Sequence, residues 1–316
     1  MTARVAIVGA TGYAGAELCR LLVGHPGAQV ATVSSRRQRG RLDAVHPALA
    51  GFSDLRFSAV DIADLAAHDA VLLAVPHGTA TELVSALEDA GAPCILDLSR
   101  DHRHAPGWVY GQAEWHREQL IGATRIAVPG CFATAIALAL APFVDRGLLQ
   151  GPARVVAATG STGAGATPSL TTHHPERFVN LKAYKVLSHQ HGPEITTFLA
   201  GLGAMPGLHF VPLSAPVDRG ILASCFVQVP EDVDAAAVVR DAYAHHPAVR
   251  VRAESPQLRW VRGTGLCDLS VVQDGSEVVV LSALDNLGKG AAAQALQCLE
   301  LSLGLEPAPR APASLP

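Results

Sequence analysis

The chain has 316 residues, 49% of them hydrophobic, enough for one or two domains with a full core, and its net charge of −4 offers no general attraction to nucleic acid. No uninterrupted apolar run reaches membrane-spanning length, and no signal peptide precedes the first apolar segment. The six cysteines are scattered without a CxxC pair, and no histidine group has Cys or carboxylate partners at ligand spacing, which argues against a disulfide framework and a metal site and for the reducing cytoplasm.

Arg4 to Val8 reads as a buried strand, and Ala16 to Leu22 reads as a helix. Between them lies Gly9-Ala10-Thr11-Gly12-Tyr13-Ala14-Gly15. Strand, glycine turn and helix form the context in which a dinucleotide pyrophosphate rests on a helix N-terminus. The G-x-x-G-x-x-G spacing is a variant of the usual fingerprint. It assigns Gly9, Thr11, Gly12, Tyr13, Ala14 and Gly15 to the cofactor. A second strand follows at Gln29 to Ser35 and runs into Arg36-Arg37-Gln38-Arg39. An NAD site places an acid there for the ribose 2′-hydroxyl. Here Ser34, Ser35 and Arg36 offer hydroxyls and a guanidinium for a 2′-phosphate, so NADPH is the expected cofactor. A solvated basic loop is the simpler reading of the same residues.

Buried-type strands recur at Ala70 to Val75 and at Cys94 to Leu98, with a helix from Thr79 to Ala90 between them. This alternation predicts a doubly wound, Rossmann-type α/β domain. His77-Gly78 and Ser99-Arg100-Asp101 follow the carboxyl ends of those strands, where such sheets bind ligands. Arg103 comes next, a cation suited to a phosphate or carboxylate.

Pro129-Gly130-Cys131 leads into the breaker-free run Ala133 to Leu140, which places Cys131 in the first turn of a helix. Free N–H groups and the helix dipole favour a thiolate there, the form that acts as nucleophile. A buried structural cysteine would occupy the same position. From Ala153 the pattern changes: Arg154 to Ala158, Ile221 to Val229 and Val278 to Ala283 are strands without a helix between each pair. They predict an α+β domain with a mixed sheet and covering helices. Lys185 to Ile195 carries His189, His191 and Glu194, and histidine moves protons near neutral pH. Arg219 precedes the Ile221 strand as a second anion candidate. A last helix, Lys289 to Leu303, is expected to return to the first domain, followed by a frayed Pro- and Ala-rich tail over 306–316. The domains are thus read as 1–131 with 289–316 for the cofactor, and 132–288 for catalysis and dimerisation.

The ordered segments Gly9 to Gly15, Asp97-Leu98-Ser99 with Asp101 and Arg103, Pro129-Gly130-Cys131 with Thr134, Ser161 to Gly165, His189-Gln190-His191 with Pro193-Glu194-Ile195, Arg219-Gly220-Ile221 and Asp285-Asn286-Leu287 with Lys289-Gly290 span nearly the whole chain. The chain resembles the N-acetyl-γ-glutamyl-phosphate reductase family, within the wider semialdehyde dehydrogenase group. The resemblance implies NADPH-dependent reduction of a small acyl phosphate to an aldehyde in arginine biosynthesis by a homo-oligomer. It implies Cys131 as nucleophile, His191 as acid/base and His189 as its neighbour. It adds Ser99, Ser161, Gly163 and Asn286 to the cofactor site, and Arg103, Arg219 and Glu194 to the substrate. Arg100 and His102 depart from the family pattern, the segment from Arg103 to Tyr110 is short, and Ala166 stands where a basic residue is common. Thr172-His173-His174-Pro175-Glu176-Arg177 is similar instead to the branch that acts on amino-group carrier-protein conjugates in lysine biosynthesis, with His173, His174 and Arg177 read as a local patch for an acidic carrier. An aspartate-type phosphorylating dehydrogenase and a non-catalytic NADP sensor are the other classes compatible with the fold. The HQHGPEI segment argues against the first, and Cys131 with the histidine pair against the second.

Overall fold

The computed structural model describes residues 2–311, and the tail expected over 306–316 lies outside the described residues from 312 on. Two compact units are present: residues up to Gly130 with Ala291–Pro309, and Cys131–Gly290 joined by Arg310 and Ala311.

The first unit is built on an eight-stranded sheet. Its strands are β1 (Ala3–Val8), β2 (Ala28–Ser34), β3 (Gly40–Arg41), β4 (Arg56–Ser58), β5 (Ala70–Leu73), β6 (Ile95–Asp97), β7 (Val109–Tyr110) and β8 (Arg125–Ala127). They are ordered β3-β4-β2-β1-β5-β6-β8-β7, all neighbours parallel except the β3–β4 pair. The sheet is buried on both faces, as parallel sheets require. Val5 and Ile7 pack with Leu18, Leu22, Leu296 and Leu299 on one side. Ala6 and Val8 pack with Leu65, Leu83, Val84 and Leu87 on the other. Because β2 and β5 flank β1, the chain reverses its winding direction there. The glycine turn after β1 therefore opens at the switch point, where doubly wound sheets bind nucleotides.

The C-terminal helix packs in the core of this unit and starts later than the sequence pattern suggests. Residues Gly288–Ala292 form one wide turn, and the α-helix runs Ala293–Leu303. The Gly290 N–H reaches back to the carbonyl of Asp285, and a Cβ on Gly288 would collide with the carbonyl oxygen of Thr264. Tertiary contacts thus override a locally adequate helical sequence.

The second unit carries β9 (Ala153–Thr159), β10 (Lys182–Ala183), β11 (Leu208–Ser214), β12 (Ile221–Gln228), β13 (Val249–Val251), β14 (Cys267–Asp274) and β15 (Glu277–Leu284). Their order is β10-β11-β9-β12-β15-β14-β13, a mixed sheet with parallel β9–β11 and β13–β14 pairs. The helix Cys131–Asp145 packs on β12 and β15 and against the helices His191–Ala200 and Ala235–Tyr243. Every residue from Phe132 to Val144 is buried, so this helix is apolar on all sides and forms the centre of the unit. Along β9 and β12 every second residue is buried, while Val156 and Phe226 between them are more than a third exposed. One face of these strands is therefore covered by helices, and the other is open and mixed, with Val156 and Phe226 beside Arg154, Ser224 and Gln228. No helix among the described residues is long and apolar enough to cross a membrane.

Candidate active site

In the first unit the glycine turn is held by its own backbone. Gly9 has φ of 87°, and a side chain there would strike the carbonyl of Ala74. A Cβ on Gly15 would come within 2.6 Å of the Ala10 Cα, so only glycine lets the helix Tyr13–Leu22 sit this close to β1. Gly12 is different. Its hypothetical Cβ meets only the Gly9 carbonyl, at 3.7 Å, and Gly12 starts a helix that no side chain caps. This is an open cradle of backbone around a helix N-terminus, and it fits a pyrophosphate. Thr11 and Ala14 lie on the same turn, partly exposed with Tyr13.

At the end of β2 the Ser34 hydroxyl is buried without a hydrogen-bond partner. Ser35 accepts the N–H groups of Arg37 (3.3 Å) and Gln38 (3.1 Å) and thereby shapes the loop. Arg36 is exposed beside it, and neither Arg36 nor Arg37 meets a carboxylate among the described residues. Arg41 is committed to Asp43 and Asp54.

At the carboxyl ends of β5 and β6 the ligand-side loops are cross-braced. Asp97 is fully buried and accepts the N–H and hydroxyl of Ser99, both at 2.8 Å, and the Nδ1–H of His102 at 2.6 Å. His102 stacks on Trp108, which accounts for a ring at this position. Arg103 is buried and donates from Nε to the Val128 carbonyl (3.0 Å) and from Nη2 to the Leu98 carbonyl (3.2 Å). His77 joins this corner by accepting the Arg100 N–H at 3.1 Å. Burial, then Arg103 and Arg100, hold His77 below the usual imidazole range. The sequence alone placed His77 at a strand end but gave it no role.

In the second unit Cys131 is the first residue of its helix. Of the six free cysteines it alone is not buried. Burial pushes the thiols of Cys19, Cys94 and Cys225 up, to about 12 at Cys19, so these are inert core residues. Phe132, next to Cys131, anchors the histidine pair: its ring lies 5.4 Å from that of His189 and 6.0 Å from that of His191. The two imidazoles are 4.8 Å apart and nearly perpendicular. His189 Nδ1 accepts the backbone N–H of His191 at 3.2 Å, which leaves the proton of the neutral ring on Nε2. Burial, then Lys185, pushes His189 down to about 4, so it is neutral at physiological pH. His191 opens the helix His191–Ala200, with Glu194 buried in its first turn. Tyr184 stands edge-on to His189 at 5.6 Å, and burial, then the charge of Cys131, pushes its phenol up to about 12.

Three predicted ligand contacts have internal partners. Arg219 Nε donates to Asp285 Oδ1 at 3.1 Å, and Nη2 stands 2.9 Å from Oδ2, so its charge is matched within the protein. Asn286 accepts the Gly220 N–H (2.7 Å) and donates to Thr162 (3.0 Å), tying the Ser161–Ala164 turn to the start of β12. Ser161 donates its N–H to the Val217 carbonyl, while Gly163 stands free of close contacts, with Thr159 Oγ1 3.4 Å from its hypothetical Cβ. The surface patch expected of His173, His174 and Arg177 is corrected. The two histidines are exposed, but Arg177 turns inward onto β9 and β11, donating to the Ser214 hydroxyl and the Thr159 carbonyl.

A dinucleotide-binding sheet joined to a mixed-sheet domain that opens on a part-exposed thiol defines a phosphorylating or acylating aldehyde dehydrogenase. The comparisons agree. Residues 4–123 match the semialdehyde dehydrogenase NAD binding domain, and residues 131–286 match the semialdehyde dehydrogenase dimerisation domain. The fold is shared with aspartate semialdehyde dehydrogenase II from Vibrio cholerae, at a TM-score of 0.77 and 17% identity over 96% of this chain and 99% of that one. An N-acetyl-gamma-glutamyl-phosphate reductase from Salinispora arenicola is 42% identical over 96% of each chain. A [LysW]-L-2-aminoadipate 6-phosphate reductase from Deinococcus radiodurans is 39% identical, with 95% of this chain and 94% of that one covered. The chain therefore belongs to the semialdehyde dehydrogenases, a class of NAD(P)-dependent oxidoreductases, and within them to the N-acetyl-γ-glutamyl-phosphate reductase family that includes the carrier-linked branch.

One contact in this site can be tested directly. A Cβ on Gly290 would lie 2.8 Å from the Cys131 Cβ and 3.2 Å from the Asp285 carbonyl, neither of which is a flexible side-chain tip. Gly290→Ala is expected to move the thiol and lower kcat about tenfold or more, since ångström displacements near reacting atoms are costly. Iodoacetamide alkylation of Cys131 should change in parallel. Wild-type kcat and alkylation rate in the variant would show that the contact does not set the thiol's position.

Proposed function

We propose that the protein reduces N-acetyl-γ-glutamyl phosphate to N-acetylglutamate 5-semialdehyde with NADPH, in arginine biosynthesis. The observation that carries this reading is the single part-exposed thiol at the head of a buried helix, beside a histidine pair gathered on Phe132. The Cys131 thiolate attacks the acyl carbon, a C–S bond forms, and the C–O bond to phosphate breaks, leaving a thioester and inorganic phosphate. The Gly9–Gly15 turn would hold the pyrophosphate of NADPH, and Ser34, Ser35 and Arg36 its 2′-phosphate; when bound, the cofactor would supply the hydride. Ser99, Ser161, Gly163 and Asn286 shape the rest of the cofactor site, the last by bracing the Ser161–Ala164 turn. Once a hydride has added to the thioester carbon, His191 gives the resulting oxyanion a proton to form a thiohemiacetal and takes it back as the C–S bond breaks, releasing the aldehyde and the Cys131 thiolate. His189 positions it: an imidazole that accepts the His191 N–H fixes the first residue of that helix. Arg103 serves the phosphate, Glu194 orients the first turn beside His191, and Arg219 acts through Asp285. The open faces of β9 and β12, with Val156 and Phe226 exposed, support a homo-oligomer, and six free thiols support a cytoplasmic location.

The second reading is a carrier-linked aminoadipate or glutamate phosphate as substrate, with an acidic amino-group carrier protein as partner. The likeness of Thr172 to Arg177 to that branch and the relative from Deinococcus radiodurans favour it. Phosphate-dependent, NADP⁺-linked oxidation of free N-acetylglutamate semialdehyde, set beside the carrier-linked aminoadipate semialdehyde, decides between them. Turnover of the free aldehyde is expected, with Cys131→Ser lowering kcat by roughly three orders of magnitude or more while NADPH still binds. Activity on the carrier-linked aldehyde alone would establish the second reading.

Cofactor choice is tested at Arg36. Loss of one exposed charge-assisted contact to the 2′-phosphate removes about 1.5 kcal/mol, so Arg36→Ala should raise the NADPH KM roughly tenfold and leave the NADH KM unchanged. Equal effects on both cofactors would make the loop purely structural.

A further inference from the structure

Arg177 sits in a short helical turn, His174–Arg177, and reaches across the ends of two paired strands. Thr159 closes β9, Ser214 closes β11, and the two residues are register partners in the parallel ladder. One guanidinium nitrogen donates to the Ser214 hydroxyl and another to the Thr159 carbonyl at 3.1 Å. Both acceptors are neutral. No carboxylate lies within ion-pair distance of Arg177 among the described residues, whereas Arg219, Arg250 and Arg262 in the same unit each face an aspartate. Two polar atoms remain without hydrogen-bond partners at this spot: the Arg177 Nε and the Thr159 Oγ1, the latter on a side chain only 6% exposed. A latch between two strand ends needs donors but no charge. A part-buried cation without a counter-ion, beside a buried hydroxyl without a partner, is a ready place for an anion.

The position relative to the thiol identifies the anion. Tyr184 is within electrostatic range of both the Cys131 thiol and the Arg177 guanidinium, which puts the cation in the neighbourhood of the thiol. Tyr184 also packs edge-on against His189. A leaving phosphate is bonded to the reacting carbon itself and belongs next to the sulfur. A group at the far end of a short methylene chain belongs one side chain away.

We propose that Arg177 and Thr159 form a carboxylate subsite that binds the α-carboxylate of an N-blocked amino-diacid semialdehyde or acyl phosphate. This deepens the reading above and rests on it. The α-carboxylate is common to the free and carrier-linked substrates, so the subsite fixes the amino-acid end whichever group blocks the nitrogen. The planar guanidinium suits a carboxylate through paired N–H donors, with the threonine hydroxyl as a third. Burial lowers the Arg177 pKa, as expected for a cation that waits for its counter-ion.

The test compares two aldehydes in the phosphate-dependent oxidation assay: N-acetylglutamate semialdehyde and 4-acetamidobutanal, which is the same molecule without the α-carboxylate. Wild-type enzyme should prefer the first in kcat/KM. Arg177→Ala should shrink that preference about 10- to 150-fold, chiefly through KM, with the KM for inorganic phosphate held within about twofold. Arg177→Met keeps the aliphatic stem and should behave alike, which covers the case in which alanine impairs folding. A preference that survives in a folded variant refutes the subsite and leaves the function standing. A raised phosphate KM with the preference intact reassigns Arg177 to the phosphate and overturns the proposal. No turnover of either free aldehyde by the wild type refutes the free-substrate reading; Arg177→Ala should then raise the KM for the carrier-linked semialdehyde about tenfold or more, and an unchanged KM refutes the subsite.

Discussion

Asp285 is the constraint on which the catalytic unit depends. Its carboxylate is fully buried, and it accepts backbone N–H groups from Gly263 (2.6 Å), Leu287 (2.9 Å) and Gly288 (3.0 Å) as well as the two-pronged Arg219. A buried carboxylate is expensive unless its lone pairs are filled, and here they are filled from three separate stretches of chain. Its own carbonyl takes the Gly290 N–H at 2.8 Å. The result is the wide turn at Gly288–Ala292 and a glycine pressed against the Cys131 Cβ. Arg219, read from sequence as an anion ligand, is on this account a brace for the nucleophile's surroundings.

The polar interior elsewhere follows the same economy of fixed donors and acceptors. Asp97 gathers Ser99 and His102, Asn286 ties the Ser161–Ala164 turn to β12, and His189 spends its Nδ1 lone pair on the His191 backbone. Each bond removes a degree of freedom from a loop, and in the second unit this leaves a thiol and an imidazole held by rigid elements rather than by loops. On the proposed mechanism the two histidines divide the work: His189, held neutral, positions, and His191 moves protons.

Legibility in the sequence followed locality. The glycine turn could be read because its three glycines, strand and helix lie within about twenty consecutive residues, and Cys131 because Pro129-Gly130 announces a helix start. The histidine pair was visible as a short polar segment. What escaped depends on contacts between residues far apart in the chain. Asp285 meets Arg219 across 66 positions, and Arg177 meets Ser214 across 37, so neither the brace nor the inward turn of the guanidinium has a local signal. The helix at Lys289 was over-extended for the same reason, since helical propensity there yields to the Asp285 carbonyl and to Thr264. β11 and β14 went unremarked because the alternation of buried and exposed residues in mixed sheets is a weaker signal than the apolar runs of β1 and β5.

The central claim is that Cys131 becomes acylated and no other group does. Intact-protein and peptide mass spectrometry after mixing the enzyme with N-acetyl-γ-glutamyl phosphate, without any nicotinamide cofactor, tests it most directly. One acyl group per chain is expected, located on the Cys131 peptide, hydroxylamine-labile, and matched by one equivalent of released phosphate. Phosphate release without acylated Cys131, or an acyl group on any other residue, would contradict it.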